Sequence, residues 1–154
     1  MENKPIKRHK ALQPISREHH HGLLLCWKIR EGFKRNIAVD RIDNYAKWFW
    51  KTHLADHFEI EETHLFPVLE KGNKLVEQAK AEHKRIKQLF ENEANRQASL
   101  NSIADELEQH IRFEERVLFN EIQAKASSEQ LQNIQACGTN QKFDDNLTDA
   151  FWQQ

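Results

Sequence analysis

Ionisable residues occupy the positions where a helical pattern places its core in the stretch DHFEIEETHLFPVLE, residues 56–70. Each residue of a helix turns by about 100°, so His57, Glu61, His64 and Val68 lie on one face. Carboxylates and imidazoles on such a face lose hydration when the face is buried. The pattern therefore predicts a helix that directs chargeable side chains towards the interior.

Four long amphipathic segments follow one another along the chain. Glycine and proline are scarce, with 4 and 3 residues, and they separate segments rich in Leu, Glu, Lys, Gln and Ala, which favour helix. We predict helix A over residues 16–35, helix B over 40–70, helix C over 74–95 and helix D over 101–126. Long helices joined by short loops are typical of an up-down-up-down bundle, so the predicted fold is all-α.

The 154 residues are the length of one domain, which can bury one substantial core. We assign residues 1–126 to the four-helix bundle and residues 127–154 to a tail, made of a short helix and an irregular polar stretch. The aromatic residues Phe151 and Trp152 are expected to pack this tail on the bundle.

One motif occurs in both helix B and helix D. The segment HFEIEETHLF (57–66) aligns with HIRFEERVLF (110–119). His57 and Glu61 are four residues apart, as are their counterparts in the second copy, and residues at this spacing share a helix face. A weaker repeat aligns EHHHGLLL with EHKRIKQL and pairs His19 with His83. The chain therefore resembles two similar hairpins, each offering one His and one HxxxE motif.

Three adjacent histidines of helix A compete for the inward position. The apolar residues Ile15, Leu23, Cys26 and Phe33 centre on His19 by helical phase. We therefore predict that His19 faces the interior, with His20 as the alternative and with His21 facing solvent.

Six residues fall on the inner faces of the predicted helices: His19, His57, Glu61, His83, His110 and Glu114. Burying such groups unpaired would cost several kcal/mol for each ionised group. A pair of metal ions that accepts imidazole nitrogen and bridging carboxylate oxygen removes this cost. We predict that these residues are metal ligands. When the metal is removed, we expect at least one of the two carboxylates to take up a proton or to draw in water.

Charge and cysteine content exclude several other classes of function. The chain has 23 Lys and Arg against 24 Asp and Glu, a net charge of −1, which gives no electrostatic basis for binding nucleic acid or an anionic membrane. We find neither an apolar run of membrane-spanning length nor a signal peptide, and expect a cytoplasmic protein. Cys26 and Cys137 form no CxxC pair, so neither disulfides nor a thiolate metal site are predicted.

The paired HxxxEExxLF motifs resemble those of the hemerythrin-like proteins with an HHE cation-binding domain, of bacterial type, over about residues 12–126. This resemblance implies a four-helix bundle around a non-heme di-iron centre, whose two iron ions are bridged by carboxylates and by an oxo or hydroxo group. Zinc or manganese are the alternative metals. The motif assigns the ligands to His19 or His20, His57, Glu61, His83, His110 and Glu114.

The sequence departs from the animal oxygen carriers of this family at Lys87, where they have a second helix C histidine. Lys87 is expected to turn towards solvent, so that reversible oxygen carriage is not implied. His53 and His64 lie near the ligand stripe of helix B, and we expect them to support the ligands or fill the core rather than bind metal. Glu62 and Glu115 are expected to form ion pairs at the helix boundary.

The resemblance implies a protein whose metal centre binds or reacts with a small ligand such as O2, NO or peroxide. Two other classes stay open. One is a di-iron enzyme that reduces peroxide or oxygen or donates iron in stress repair. The other is a helical interaction module with a structural zinc, and a homodimer also stays open.

Overall fold

A computed structural model describes residues 7–137 and 142–153, and its four main helical segments form the predicted all-α, up-down-up-down bundle. Helix A corresponds to α1 (Gln13–Lys34), and helix C corresponds to α4 (Lys74–Glu91). A further helix, α7 (Ser128–Cys137), follows the bundle. Within the described ranges, every helix is too short or too polar to cross a membrane.

Helices B and D are interrupted by π-helical turns. Helix B consists of α2 (Val39–Phe49), a π-helical turn (Trp50–Leu54), α3 (Ala55–Ile60), a second π-helical turn (Glu61–Leu65) and a 3-10 turn (Phe66–Val68). Helix D consists of α5 (Arg96–Phe113), a π-helical turn (Glu114–Leu118) and α6 (Phe119–Lys125). Single π-helical turns inside α-helices are frequent at functional sites.

The connection between helices C and D differs from the prediction. Helix C ends at Glu91, before the predicted limit of residue 95, and helix D begins at Arg96, before the predicted residue 101. The reason is Asn95, whose side-chain oxygen accepts a hydrogen bond from the Ala98 backbone N–H at 3.1 Å. An asparagine in this N-cap position satisfies a backbone donor that the first turn leaves free, so the helix starts directly after it.

Two apolar clusters fill the bundle and leave a layer between them. One cluster contains Leu25 and Ile86 with residues at the α1–α2 end of the bundle, and the other contains Ile15 and Leu118 with residues at the opposite end. Each helix passes from one cluster to the other at the level of the predicted ligands. The interior is therefore packed along its whole length, but its middle layer is polar.

The end of the tail, residues 142–153, packs against the first of these clusters, whereas Ile134 of α7 belongs to the second. Phe151 and Trp152 are buried within it. Asp145 accepts hydrogen bonds from Lys28 Nζ at 2.6 Å and from the Tyr45 hydroxyl at 2.6 Å, and the Lys28 ammonium lies 4.2 Å from the centre of the Trp152 ring. These contacts hold residues 142–153 across helices A and B.

Candidate metal centre

Six buried residues meet in the middle layer of the bundle: His19, His57, Glu61, His83, His110 and Glu114. Their ligand atoms fall into two groups of four, within 4.8 Å of one another in each group. His19 and His57 belong to one group, and His83 and His110 belong to the other. Both groups contain the same two carboxylates, so the arrangement has the form of two adjacent cation sites with shared oxygen ligands.

Glu61 reaches both groups with different oxygens. Its Oε2 atom lies 3.3 Å from His57 Nε2 and 3.6 Å from His19 Nε2, while its Oε1 atom lies 3.1 Å from His83 Nε2. The side chain is fully buried, with 0% of its surface exposed. A carboxylate held in this way is able to bridge two cations.

Glu114 takes the corresponding position on helix D. Its Oε1 atom lies 2.9 Å from His19 Nε2 and 3.3 Å from His110 Nε2, and its Oε2 atom lies 3.7 Å from His83 Nε2. Like Glu61, it is the first residue of a π-helical turn. The internal repeat of the sequence is therefore also a repeat of backbone shape.

The π-helical turns explain why His64 and Val117, which follow Glu61 and Glu114 in sequence, face outwards. An i→i+5 turn holds one more residue than an α-helical turn, so the residues that follow are rotated relative to an ideal helix. Leu65 and Leu118 consequently point inwards and are buried, whereas His64 is exposed and Val117 is 42% exposed. His64 therefore lies outside the cluster, contrary to the uniform helical phase that placed it on the ligand stripe.

Many polar atoms of the cluster have no hydrogen-bond partner among the residues that the structure describes. They include both oxygens of Glu61 and the Nε2 atoms of His57, His83 and His110. Although several of these atoms lie within ion-pair distance of each other, their angles do not suit hydrogen bonds. Polar atoms without a partner are costly in a protein interior. Because all of these atoms can coordinate a metal ion, a cation bound between them would remove this cost.

Opposite charges balance within the cluster when the protein groups act alone. Burial by itself lowers the pKa of His57, but the interactions with the Glu61 and Glu18 carboxylates together outweigh it and raise this pKa to about 9. Burial and the neighbouring Glu114 raise the pKa of Glu61, yet His57 and His19 outweigh both and lower it to about 2. Protonated imidazoles therefore compensate both carboxylates, which disfavours uptake of a proton by a carboxylate without metal. Entry of water, the other expected response to loss of metal, stays a prediction.

Two glutamates outside the predicted ligand set hold the histidines of helices A and C. The Nδ1 atom of His19 lies 2.7 Å from Glu115 Oε2, and the Nδ1 atom of His83 lies 2.8 Å from Glu62 Oε2. Both glutamates were expected in ion pairs at the helix boundary, and both instead pair with histidines of the cluster. A carboxylate on Nδ1 fixes the orientation of the ring and directs Nε2 towards the centre.

On helix D, His110 has a partner of the same kind, whereas on helix B the Nδ1 atom of His57 has a carboxylate within ion-pair distance but no hydrogen bond among the described residues. The Nδ1 atom of His110 lies 2.7 Å from Glu82 Oε1, and that of His57 lies 3.4 Å from Glu18 Oε2. Sequence reasoning missed Glu18 and Glu82. The signal was present, because each of them directly precedes a histidine of the cluster in the repeated dipeptide EH.

Several other candidates lie away from the cluster. His20 and Lys87 are exposed, and the Lys87 ammonium lies 3.9 Å from Glu91 Oε1. Among the three adjacent histidines, only His19 joins the cluster. His21 is half-buried rather than solvent-facing, because its ring stacks on Phe143 at 4.0 Å between centroids.

A small apolar cavity adjoins the cluster beside His19, His57 and His110. Its volume of about 30 Å³ is sufficient for a water molecule or a diatomic molecule. The apolar part of its lining comes from Phe49, Leu54, Phe58, Leu107, Ile111 and Phe143. His53, which we expected to support the ligands or fill the core, is half-buried and lines the cavity instead.

An outer groove lies next to this cavity. Glu18, His21, His53 and Phe143 line both the cavity and the groove. The Phe143 ring lies 4.7 Å from the His53 ring and thus forms one side of the passage. The cluster is therefore deeply buried, but the cavity beside it shares part of its wall with a groove at the surface.

The comparisons with known proteins agree with this geometry. The family model described as the hemerythrin HHE cation binding domain matches residues 10–122, and it matches again over residues 74–136. The second match begins at the start of α4, the helix that the internal repeat pairs with α1. No curated protein and no solved structure matches the chain. Because the first match alone covers well over half of the sequence, the chain belongs to the hemerythrin HHE cation-binding domain family.

Proposed function

We propose that this protein holds two iron ions in its middle layer and that the resulting centre binds or reacts with a small ligand such as O2, NO or peroxide. The observation that carries the proposal is the sharing of Glu61 and Glu114 between two groups of four ligand atoms. Shared carboxylates are the arrangement that a paired-metal site requires. The proposed ligands are the six residues of the cluster.

The donor atoms suit iron better than a structural ion whose coordination shell is complete. Imidazole nitrogen is a good ligand for iron and zinc, and carboxylate oxygen also suits manganese. Each group supplies four ligand atoms, which completes the tetrahedral shell of a structural zinc. An iron ion accepts further ligands beyond four, so the same donor set leaves room for a small molecule. The adjoining cavity favours iron over a structural zinc.

When bound, iron supplies redox chemistry and an exchangeable position for the ligand. The protein residues supply orientation and selection. Carboxylates on the Nδ1 atoms of His19, His83 and His110 direct their Nε2 atoms inwards. The apolar cavity would admit small uncharged molecules and exclude hydrated ions. We propose that ligands enter through the groove between His21 and His53, past Phe143.

The domain organisation follows from the same proposal. Residues 1–126 would form the metal-binding bundle, and residues 127–154 would form a tail that borders the entry route. Phe143 lines the passage, and Asp145 is anchored to Lys28 two residues further along. In this arrangement the tail contributes to ligand access rather than to a separate activity.

A second candidate function is an enzyme that reduces peroxide or oxygen or that donates iron in repair. The groove favours this candidate as well, because a turnover reaction needs repeated access. Purification with the native metal, followed by elemental analysis, would identify the ion. Optical spectra recorded with O2, NO and peroxide would then distinguish binding from turnover. Zinc as the native metal, with no change in spectrum on adding any of the three, would contradict the proposal.

A further inference from the structure

Glu115 is held from three sides. Its Oε2 atom lies 2.7 Å from His19 Nδ1 and accepts a hydrogen bond from Ser16 Oγ at 2.8 Å. Its Oε1 atom lies 3.5 Å from Arg8 NH2. The same Arg8 nitrogen donates a hydrogen bond to the backbone oxygen of Glu115 at 2.7 Å. Both the side chain and the backbone of Glu115 are thus fixed by a residue that precedes the bundle.

Arg8 is itself rigidly placed. Its NH1 atom donates hydrogen bonds to Asn120 Oδ1 and Gln123 Oε1, each at 3.1 Å. Its guanidinium carbon lies 5.6 Å from the centre of the Phe119 ring, and that ring stacks on His19 at 5.2 Å. Arg8 therefore constrains both of the side chains, Glu115 and Phe119, that border the His19 imidazole from helix D.

The glutamate that corresponds to Glu115 in the other half of the centre is Glu62, and it has fewer contacts, although Glu82 beside His110 also accepts a hydrogen bond from Gln78 Nε2 at 3.0 Å. Glu62 pairs with His83 as Glu115 pairs with His19, but within residues 7–137 and 142–153 it has no other hydrogen bond or ion pair. The Glu62 side chain is also more exposed, at 42% against 31% for Glu115. The alignment that pairs His19 with His83 places Gly72 at the position of Arg8, and a glycine offers no side chain for this role.

We propose that Arg8 is a positioning residue of the metal centre, acting through Glu115 to hold His19 in place, so that the ion bound by His19 and His57 is retained more tightly than the ion bound by His83 and His110. This inference rests on the proposed metal-binding function. Partners of metal-bound histidines typically change metal affinity by about 10–100-fold. Because Arg8 acts one contact further away, we expect an effect near the lower end of that range.

The test measures metal release. Wild-type protein and variants would be loaded with ferrous iron without oxygen, and release would be followed with a chelator that is coloured when it binds ferrous iron. Wild-type protein is expected to release iron in two phases. Arg8→Ala is expected to accelerate the slow phase by about 10-fold and to leave the fast phase unchanged. The matched control is Lys10→Ala, which removes a positive charge from the same exposed segment.

A double-variant experiment separates positioning from general stability. If Arg8 acts through Glu115, Arg8→Ala should have no further effect on release once Glu115→Gln is present. Should Arg8→Ala fail to fold, as judged by circular dichroism of the metal-free protein, Ser16→Ala removes another contact of Glu115 and should accelerate the same phase.

Three outcomes would overturn the inference: a single release phase in wild-type protein, an Arg8→Ala variant that behaves like Lys10→Ala, or additive effects in the double variant. These outcomes are distinct from failure of the proposed function itself, in which wild-type protein would take up no iron.

Discussion

Glu61 and Glu114 occupy equivalent positions on helices B and D, each as the first residue of a π-helical turn and each within reach of both histidine pairs. This relationship makes the two carboxylates the link between the two halves of the candidate centre. It also sets them apart from the histidines, each of which belongs to one half only. Variants of the two residue types should therefore behave differently.

The three adjacent histidines of helix A provide an internal control for the site. His19→Ala is expected to lower metal content, because His19 is buried within the cluster, whereas His20 is exposed. His20→Ala, the matched variant, should retain wild-type metal content. Elemental analysis of the purified variants checks this prediction. A larger loss of metal in His20→Ala than in His19→Ala would show that the helical phase differs in the metal-bound protein.

The metal-free protein is expected to become less stable as the pH rises. The pKa of His57 is raised from 6.5 to about 9 in the folded protein. A raised pKa stabilises the folded state below the unfolded value, and this contribution is lost as the pH rises through the folded value. The melting temperature of metal-free protein should therefore fall between pH 6.5 and pH 9, roughly the window between the two pKa values.

Metal-loaded protein serves as the comparison for this pH series. Metal binding requires neutral imidazoles, so the loaded protein should lack the loss of stability over the same range. Metal should also raise the melting temperature, because it binds the folded state. Equal melting temperatures with and without metal would indicate that the six residues do not bind it.

Phe143 is expected to slow the entry of ligands. It lines both the inner cavity and the outer groove and stacks on His21. Phe143→Ala should increase the rate of NO binding to reduced, iron-loaded protein, as measured by stopped-flow spectroscopy. The control is Leu147→Ala in the same tail, where the side chain is 61% exposed. An unchanged rate in Phe143→Ala would place the entry route elsewhere.

Reduced, iron-loaded protein is expected to be oxidised by O2 rather than to release it intact. Lys87 stands where the animal carriers have a histidine, and its side chain faces solvent beside Glu91. An ammonium cannot coordinate a metal ion, so Lys87 cannot supply a ligand to the half of the candidate centre near His83. Repeated cycles of oxygen pressure, followed by optical spectra, check this prediction.

A substitution at Lys87 tests whether the absence of a histidine at this position causes the oxidation by O2. Lys87→His places an imidazole four residues after His83, on the same helix face, and should slow oxidation by O2. If wild-type protein already binds and releases O2 over repeated cycles, the interpretation of Lys87 is wrong.

The fold and the inward-facing residues could be predicted from the sequence because helical periodicity is regular over most of the chain. His57 and Glu61 lie within four residues of each other and precede the π-helical turn, so an ideal helix places them correctly. His64 lies inside that turn, where one additional residue changes the phase. Periodicity alone does not reveal such a turn, although burial of Leu65 in place of His64 is its direct consequence.

The carboxylates around the cluster were harder to predict for a different reason. Glu18 and Glu82 each lie next to a histidine of the cluster in sequence, about 100° away around the helix, which identifies them as surface residues. They reach the Nδ1 atoms of His57 and His110 on neighbouring helices. Contacts of this kind depend on how the helices are packed together, and one sequence does not contain that information.

The central claim is that two ions share Glu61 and Glu114, and the most direct measurement is the iron content of protein loaded without oxygen. Wild-type protein should bind about two iron ions per chain, as a paired site requires. Glu61→Gln should lose both ions, because both groups contain this residue, whereas exposed Glu59→Gln should retain them. Fewer than one ion per folded wild-type chain, or wild-type iron content in Glu61→Gln, would contradict the account.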